Sequence, residues 1–197
     1  SPADLRTSLE TSTGKDLSWF FDDIVQTTGH TNYALHSLNR QGDDYTLRVK
    51  NRGDIAGPFS VSGQTGDSTW VEFGWYNGVA PGDVAVVPLP SKDETGLRFR
   101  QFRLDEKEQM LEYDRHNNSI RTRGLLRKIE PLSIRLLTRL DRSDRTQLGY
   151  LPVTGWNDRD GWMPGLALHN TVLPARDFEW LLMPMWSTQM SNLGGVA

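Results

Sequence analysis

Between residues 32 and 113 apolar side chains recur at every second position, in short runs cut by glycine, proline and Asn/Asp turns. Tyr45, Leu47 and Val49 alternate with Thr46, Arg48 and Lys50, so an extended segment here has one apolar and one polar face. Asn39-Arg40-Gln41-Gly42-Asp43-Asp44 before it and Asn51-Arg52-Gly53-Asp54 after it are turn sequences. Residues 33–38, 59–62, 70–76, 83–89 and 97–104 read as further strands, with Gly57-Pro58, Pro81-Gly82 and Pro88 as punctuation. Short strands with turns at ~8–12-residue spacing predict an antiparallel, immunoglobulin-like β-sandwich over residues 30–116.

The flanks have other periods. Ser1-Pro2-Ala3-Asp4 reads as a helix start, with Ser1 as N-cap, Pro2 at the first helical position and Asp4 near the positive dipole end. Leu5 and Leu9 share a face, and 11–14 ends this helix. Thr13 is expected to cap a second one, carrying Leu17, Phe20, Phe21, Ile24 and Val25 as an amphipathic stripe and stopping at Gly29. After a turn at Asn117-Asn118, Pro131 is expected to open a helix with Leu132, Leu136, Leu137 and Leu140 on one side. Nine Lys/Arg against three Asp/Glu in 115–145 read either as the solvated face of that helix or as a patch for anionic head groups or acidic protein. The last fifty residues are rich in aromatics, Gly, Pro and Met, with strand-like runs at 165–170 and 178–186. The expected fold is mainly β (α+β overall): a helical segment 1–29, the sandwich 30–116, then one helix and aromatic-rich β segments over 117–197.

Composition narrows the function classes. The 197 residues carry 22 Lys+Arg and 25 Asp+Glu, a net charge of −3, which gives no general electrostatic case for nucleic acid. No cysteine is present for a disulfide, a thiolate zinc site or a thiol nucleophile. No run of ~18 apolar residues and no signal-peptide pattern occurs. A start inside a helix reads as a piece of a longer protein.

Catalytic motifs are missing. His30, His36, His116 and His169 have no metal-ligand spacing and read as isolated imidazoles; H-E-x-x-H, G-x-S-x-G, P-loop and G-x-G-x-x-G patterns do not occur. Asp158-Arg159-Asp160-Gly161 has part of a calcium-loop pattern, but Trp156 and Ala167 occupy ligand positions, so an Asx-type turn is expected. Glu106, Glu108, Glu112 and Asp114 read as solvated carboxylates on a sandwich edge. Trp70, Trp75, Trp156, Trp162, Trp180 and Trp186 are core residues, an interfacial belt or a sugar-stacking platform; Trp70, Trp75, Trp162 and Trp186 are the candidate binding surface.

The run Thr13-Gly14-Lys15-Asp16-Leu17-Ser18-Trp19-Phe20-Phe21-Asp22-Asp23-Ile24-Val25 resembles the last catalytic-domain helix of aminopeptidase-N-like (gluzincin) zinc metallopeptidases. Tyr45-Thr46-Leu47-Arg48-Val49-Lys50-Asn51-Arg52-Gly53 and Gly57-Pro58-Phe59-Ser60-Val61 resemble early strands of the β-sandwich that follows it there. Glu112-Tyr113-Asp114-Arg115-His116-Asn117-Asn118 is similar to that sandwich's closing segment in bacterial members, so the likeness covers about residues 1–118. Gly29-His30-Thr31 stands where the family has Gly-x-Pro, and the family's zinc ligands, general-base Glu and Gly-x-Met-Glu-Asn loop have no counterpart. Residues 155–170 resemble the first strands of bacterial outer-membrane barrels.

These resemblances imply a non-catalytic C-terminal portion of an exported bacterial zinc aminopeptidase-like protein, supporting an upstream catalytic domain that holds the zinc. They imply a periplasmic, outer-membrane-associated or extracellular setting, with residues 149–197 packing on the sandwich or lying near the membrane. No cofactor and no catalytic or metal-binding residue is expected in this chain. The other reading is a stand-alone sandwich module that binds protein or glycan through its exposed tryptophans.

Overall fold

The computed structural model describes residues 1–130, 132–137, 140–142, 145–173 and 178–196. The chain is mainly β and forms two compact units, Ser1–Ile129 and Glu130–Ala197.

The first unit opens with α1 (Pro2–Thr13). Ser1 caps it reciprocally: its hydroxyl accepts from the Asp4 amide at 3.4 Å, and the Asp4 carboxylate accepts from the chain terminus at 2.7 Å. Gly14 ends it in the left-handed region at φ 64°. Thr13 therefore closes the first helix and does not cap a second. The next helical segment, α2 (Trp19–Ile24), is wound as a π-helix, with Val25 N donating to Phe20 O at 3.0 Å. Asp16 precedes it and accepts from the Ser18 amide at 2.9 Å. The wider winding breaks up the expected stripe, and Val25 remains 60% exposed. The helical segments are tied together by Arg6, which bonds Glu10 and Asp22, and by Leu17 N on Glu10 Oε1 at 3.0 Å.

Seven strands follow: β1 (Tyr33–Gln41), β2 (Asp44–Asn51), β3 (Phe59–Thr65), β4 (Trp70–Tyr76), β5 (Val84–Pro90), β6 (Phe99–Leu104) and β7 (Ser119–Arg121). They pair as a three-stranded sheet β1-β2-β5 and a four-stranded sheet β4-β3-β6-β7, all antiparallel. The alternation read at 45–49 is the pleat itself: Tyr45, Leu47 and Val49 are buried, while Thr46, Arg48 and Lys50 are not. They meet Leu35, Leu38, Val87 and Leu89 from their own sheet and Phe59, Val61, Phe99, Phe102, Leu104 and Ile120 from the other. Buried Asn51 closes one end of this unit, donating to Ile55 O and Val79 O and accepting from Gly53 N.

The second unit is a five-stranded sheet ordered β12-β11-β10-β9-β8, from β8 (Leu132–Leu136), β9 (Thr146–Asn157), β10 (Gly161–His169), β11 (Leu181–Trp186) and β12 (Leu193–Val196). The helix expected from Pro131 to Leu140 is corrected here: 132–136 is a strand pairing parallel with β9, and Pro131 lies outside the described residues. Leu132, Leu136 and Leu140 have helical spacing, but Leu132, Ile134 and Leu136 fit a period of two equally well. The neighbouring strand decides between them. Among the described residues no helix is long and apolar enough to cross a membrane.

Candidate functional site

The four candidate tryptophans fall into two groups, one in each unit. Trp70 and Trp75 are on β4, whose inward side chains are Val71, Phe73 and Tyr76. The parity changes at a bulge, where the register with β3 slips between Val61 and Ser62 and Gly74 takes φ 114°. Trp70, Glu72 and Trp75 consequently share the outer face, and Glu72 accepts from Lys107 Nζ. Trp75 also rims an apolar groove of about 230 Å³ with Trp19, Phe20, Ile24, Pro58, Met110 and Leu111. Trp19 closes on the backbone there, 3.1 Å from where a Cβ on Gly57 would stand. The helical segment thus packs on the sandwich through this tryptophan.

Beside that groove the loop after β6 folds over a buried carboxylate. Asp105, 1% exposed, accepts from the Gln109 and Met110 amides at 2.7 and 2.9 Å and pairs with Arg115 at 2.7 Å. Those donors give this buried carboxylate the partners that burial without water requires. Glu112, expected to be solvated, is instead drawn inward, where Oε1 accepts from Tyr33 N at 2.5 Å. Burial pushes its carboxyl up to about 7, against the opposing pull of the Tyr33 amide, and Asp105 adds to the rise while Arg115 counters it. Nothing local in the sequence announces this, because the partner lies 79 positions upstream. Glu112 Oε2 and both side-chain polar atoms of buried Asn118 have no hydrogen-bond partner.

The histidines are scattered. His30 Nδ1 lies 2.8 Å from Asp54 Oδ2 and its ring stacks near Tyr113, while His36 occupies the bulge in β1 between Leu35 and Ser37. His116 follows Asp114, whose carboxylate accepts its amide at 3.0 Å, and His169 covers Gly149 on β9. Among the described residues no three His, Asp or Glu side chains come together as a metal-binding group. The Asp158-Arg159-Asp160 segment is the tight turn between β9 and β10, with Asn157 Oδ1 accepting from the Arg159 and Asp160 amides at 2.9 and 2.8 Å.

In the second unit, strand register sorts side chains into two sheet faces. Trp156 is opposite Trp162, Pro152 opposite Leu166, Tyr150 opposite Leu168, Leu168 opposite Leu182 and Trp186 opposite Leu193. On β8, Leu132, Ile134 and Leu136 pair with Thr146, Leu148 and Tyr150 on the same face. This face holds no Asp, Glu, Lys or Arg on any of the five strands. It is also the exposed face: Trp156 is 69%, Trp162 56% and Ile134 61% accessible. The opposite face mixes small and polar residues (Ser133, Gln147, Gly149, Gly155, Gly161, Gly165, Ala167 and His169) with Leu151, Val153, Met163, Leu181, Met183 and Met185 and one charge, Arg135; Ser133, Gln147, Gly149, Gly161 and Ala167 are buried. Trp162 and Trp186 therefore belong to one continuous apolar surface with Trp156, which the sequence reading did not place in the binding set.

No family model, curated protein or solved structure matches the chain.

Proposed function

We propose that this chain is a membrane-seated support module, in which the apolar face of β8–β12 lies against lipid hydrocarbon and the sandwich unit is carried by it. The observation behind this reading is the charge-free apolar face of β8–β12, left exposed at Ile134, Trp156 and Trp162. In water an apolar face of this size is turned inward or covered, whereas strands in a bilayer turn such a face outward to lipid. β10 with 9 residues falls within, and β9 with 12 slightly exceeds, the ~9–11 residues a tilted strand uses to cross hydrocarbon. Trp156 and Trp162 lie beside the tight turn joining these strands, where an interfacial aromatic belt belongs. In a bilayer the outer strands β8 and β12 have to be paired on their free sides, since lipid satisfies no backbone amide.

The support role follows from the gluzincin resemblance of residues 13–25 and from the seating of that segment on the sandwich through Trp19 and Gly57. In this reading an upstream zinc-peptidase catalytic domain is held against the sandwich, in an exported, outer-membrane-associated bacterial protein. The test is tryptophan quenching by bromine-labelled lipid after reconstitution of the full chain. Strong quenching is expected, falling by more than half in a Trp156→Phe, Trp162→Phe, Trp186→Phe variant. Unquenched fluorescence, with the chain monodisperse in detergent-free buffer, would overturn the proposal.

A further inference from the structure

The four-stranded sheet of the first unit brings together two arginine pairs that are distant in sequence. Arg98 and Arg100 flank Phe99 at the start of β6, and Arg121 and Arg123 flank Thr122 at the end of β7. The pairs are locked side by side: Gln101 opposes Arg121, and the Thr122 amide and hydroxyl both donate to Arg100 O, at 2.8 and 3.0 Å. Together with Tyr45, Phe99, Gly66 and Thr122 the four arginines line an open groove of about 450 Å³. The Arg100 guanidinium lies over Gly66, 3.7 Å from where a Cβ would stand.

Among the described residues none of these four arginines forms an ion pair. Two acids in the loops beside the groove, Asp93 and Asp67, are engaged in their own turns. Asp93 Oδ1 accepts from Thr95 N, Thr95 Oγ1 and Leu97 N, and Asp67 Oδ1 accepts from Thr65 Oγ1 and Thr69 N. Lys92 adds a further cation directly opposite Arg98, a like-charge pairing that is unfavourable by itself. Four guanidiniums therefore converge, uncompensated, in a chain whose net charge is −3. Each presents a planar fork of donors that fits two oxygens of a phosphate. One carboxylate would leave most of this charge unmatched, whereas two adjacent phosphates bring roughly three to four negative charges at neutral pH.

We propose that the β6–β7 groove binds a ligand carrying adjacent phosphates, supplied either as a free pyrophosphate-type anion or as a phosphorylated lipid head group. Calorimetric titration of the full chain in nonionic detergent with pyrophosphate is expected to show one equivalent bound. Affinity is expected to fall at least ~tenfold in an Arg100→Gln, Arg121→Gln variant and more weakly in Arg123→Gln alone. The melting midpoint of the double variant should stay unchanged, since both side chains reach into the groove and neither is in the core. Absence of saturable binding, or an unchanged affinity in the double variant, overturns the proposal. Micelles doped with a lipid whose head group carries two adjacent phosphates identify a head group as the source if they displace pyrophosphate, and a free anion if they do not. Displacement by undoped neutral micelles would also overturn it, because the site would then not be reading phosphate. Both substitutions lie outside β8–β12, so quenching by bromine-labelled lipid is expected to be unaffected, which separates this proposal from the membrane reading.

Discussion

The inside of Ser1–Ile129 and the outside of Glu130–Ala197 are made of the same kinds of side chain. In the first unit two sheets close over Phe59, Val61, Phe99, Phe102 and Leu104, all buried, and Thr46, Arg48 and Lys50 face out. In the second unit Leu132, Ile134, Leu136, Trp156 and Trp162 face out, and Ser133 and Gln147 are buried. Both follow the period-two rule of a strand. What differs is the medium each face is complementary to: another sheet in one case, and in our proposal hydrocarbon in the other. Strand patterning thus identifies two faces but carries no statement of which one is inside.

The strongest way to break this contrast is to delete a large side chain from each unit. Phe102→Ala removes a fully buried ring and is expected to destabilise the first unit by about 3–5 kcal/mol, read from its denaturant midpoint in the full chain. Leu166→Ala, on the outer face of β10, leaves no enclosed cavity and should cost far less in detergent. Equal losses would mean that protein covers the outer face.

Charge on that face provides the next test. Leu166→Arg is expected to weaken lipid incorporation by about 2–4 kcal/mol, measured by partition between vesicles and buffer, without moving the melting of the sandwich unit. An arginine tolerated there at no cost would place the face in water.

The third test belongs to the sandwich alone. Glu112, raised to about 7 in the fold from an ordinary 4.5, holds a proton that the unfolded chain releases. Its contribution is complete below about pH 4.5 and disappears as pH rises through 7, a span worth at most about 3 kcal/mol. Arg115 and Asp105 face the same carboxyl with opposite effects, and Asn118 is its remaining neighbour. Melting scans from pH 5 to pH 8 should show falling stability in the parent and a flatter profile in Glu112→Gln. A profile that is the same in both would refute the protonated carboxyl.

The smallest effect is expected at α1, which buries no residue. Ser1→Ala should cost about 1 kcal/mol of local helix stability, seen as faster amide exchange at Asp4 and Leu5, with the sandwich midpoint unmoved.

Much of the fold was legible because its causes are local. The Ser1-Pro2-Ala3-Asp4 start is a cap whose partners lie within three residues, and the alternation at 45–49 reports a pleat. The Asp158–Asp160 turn was readable in the same way, with Asn157 supplying its acceptor within three positions. The candidate sites were less legible. Leucine spacing at 132–140 satisfied two periods at once, and only pairing with β9 resolved it. Glu112 looked like one of several surface acids until the chain returned Tyr33 to it. Arg121 and Arg123 belong to the basic stretch 115–145 while Arg98 and Arg100 fall within a strand read at 97–104, and the β6–β7 register made them neighbours.

The amino-acid sequence by itself determined where this chain is extended, where it turns and where its first helix begins, because these depend on residues a few positions apart. Only the tertiary structure decided which face of each sheet is covered, which carboxylate is desolvated and which cations converge. Burial and electrostatic coupling act through space between segments brought together by folding, and local periodicity does not encode them.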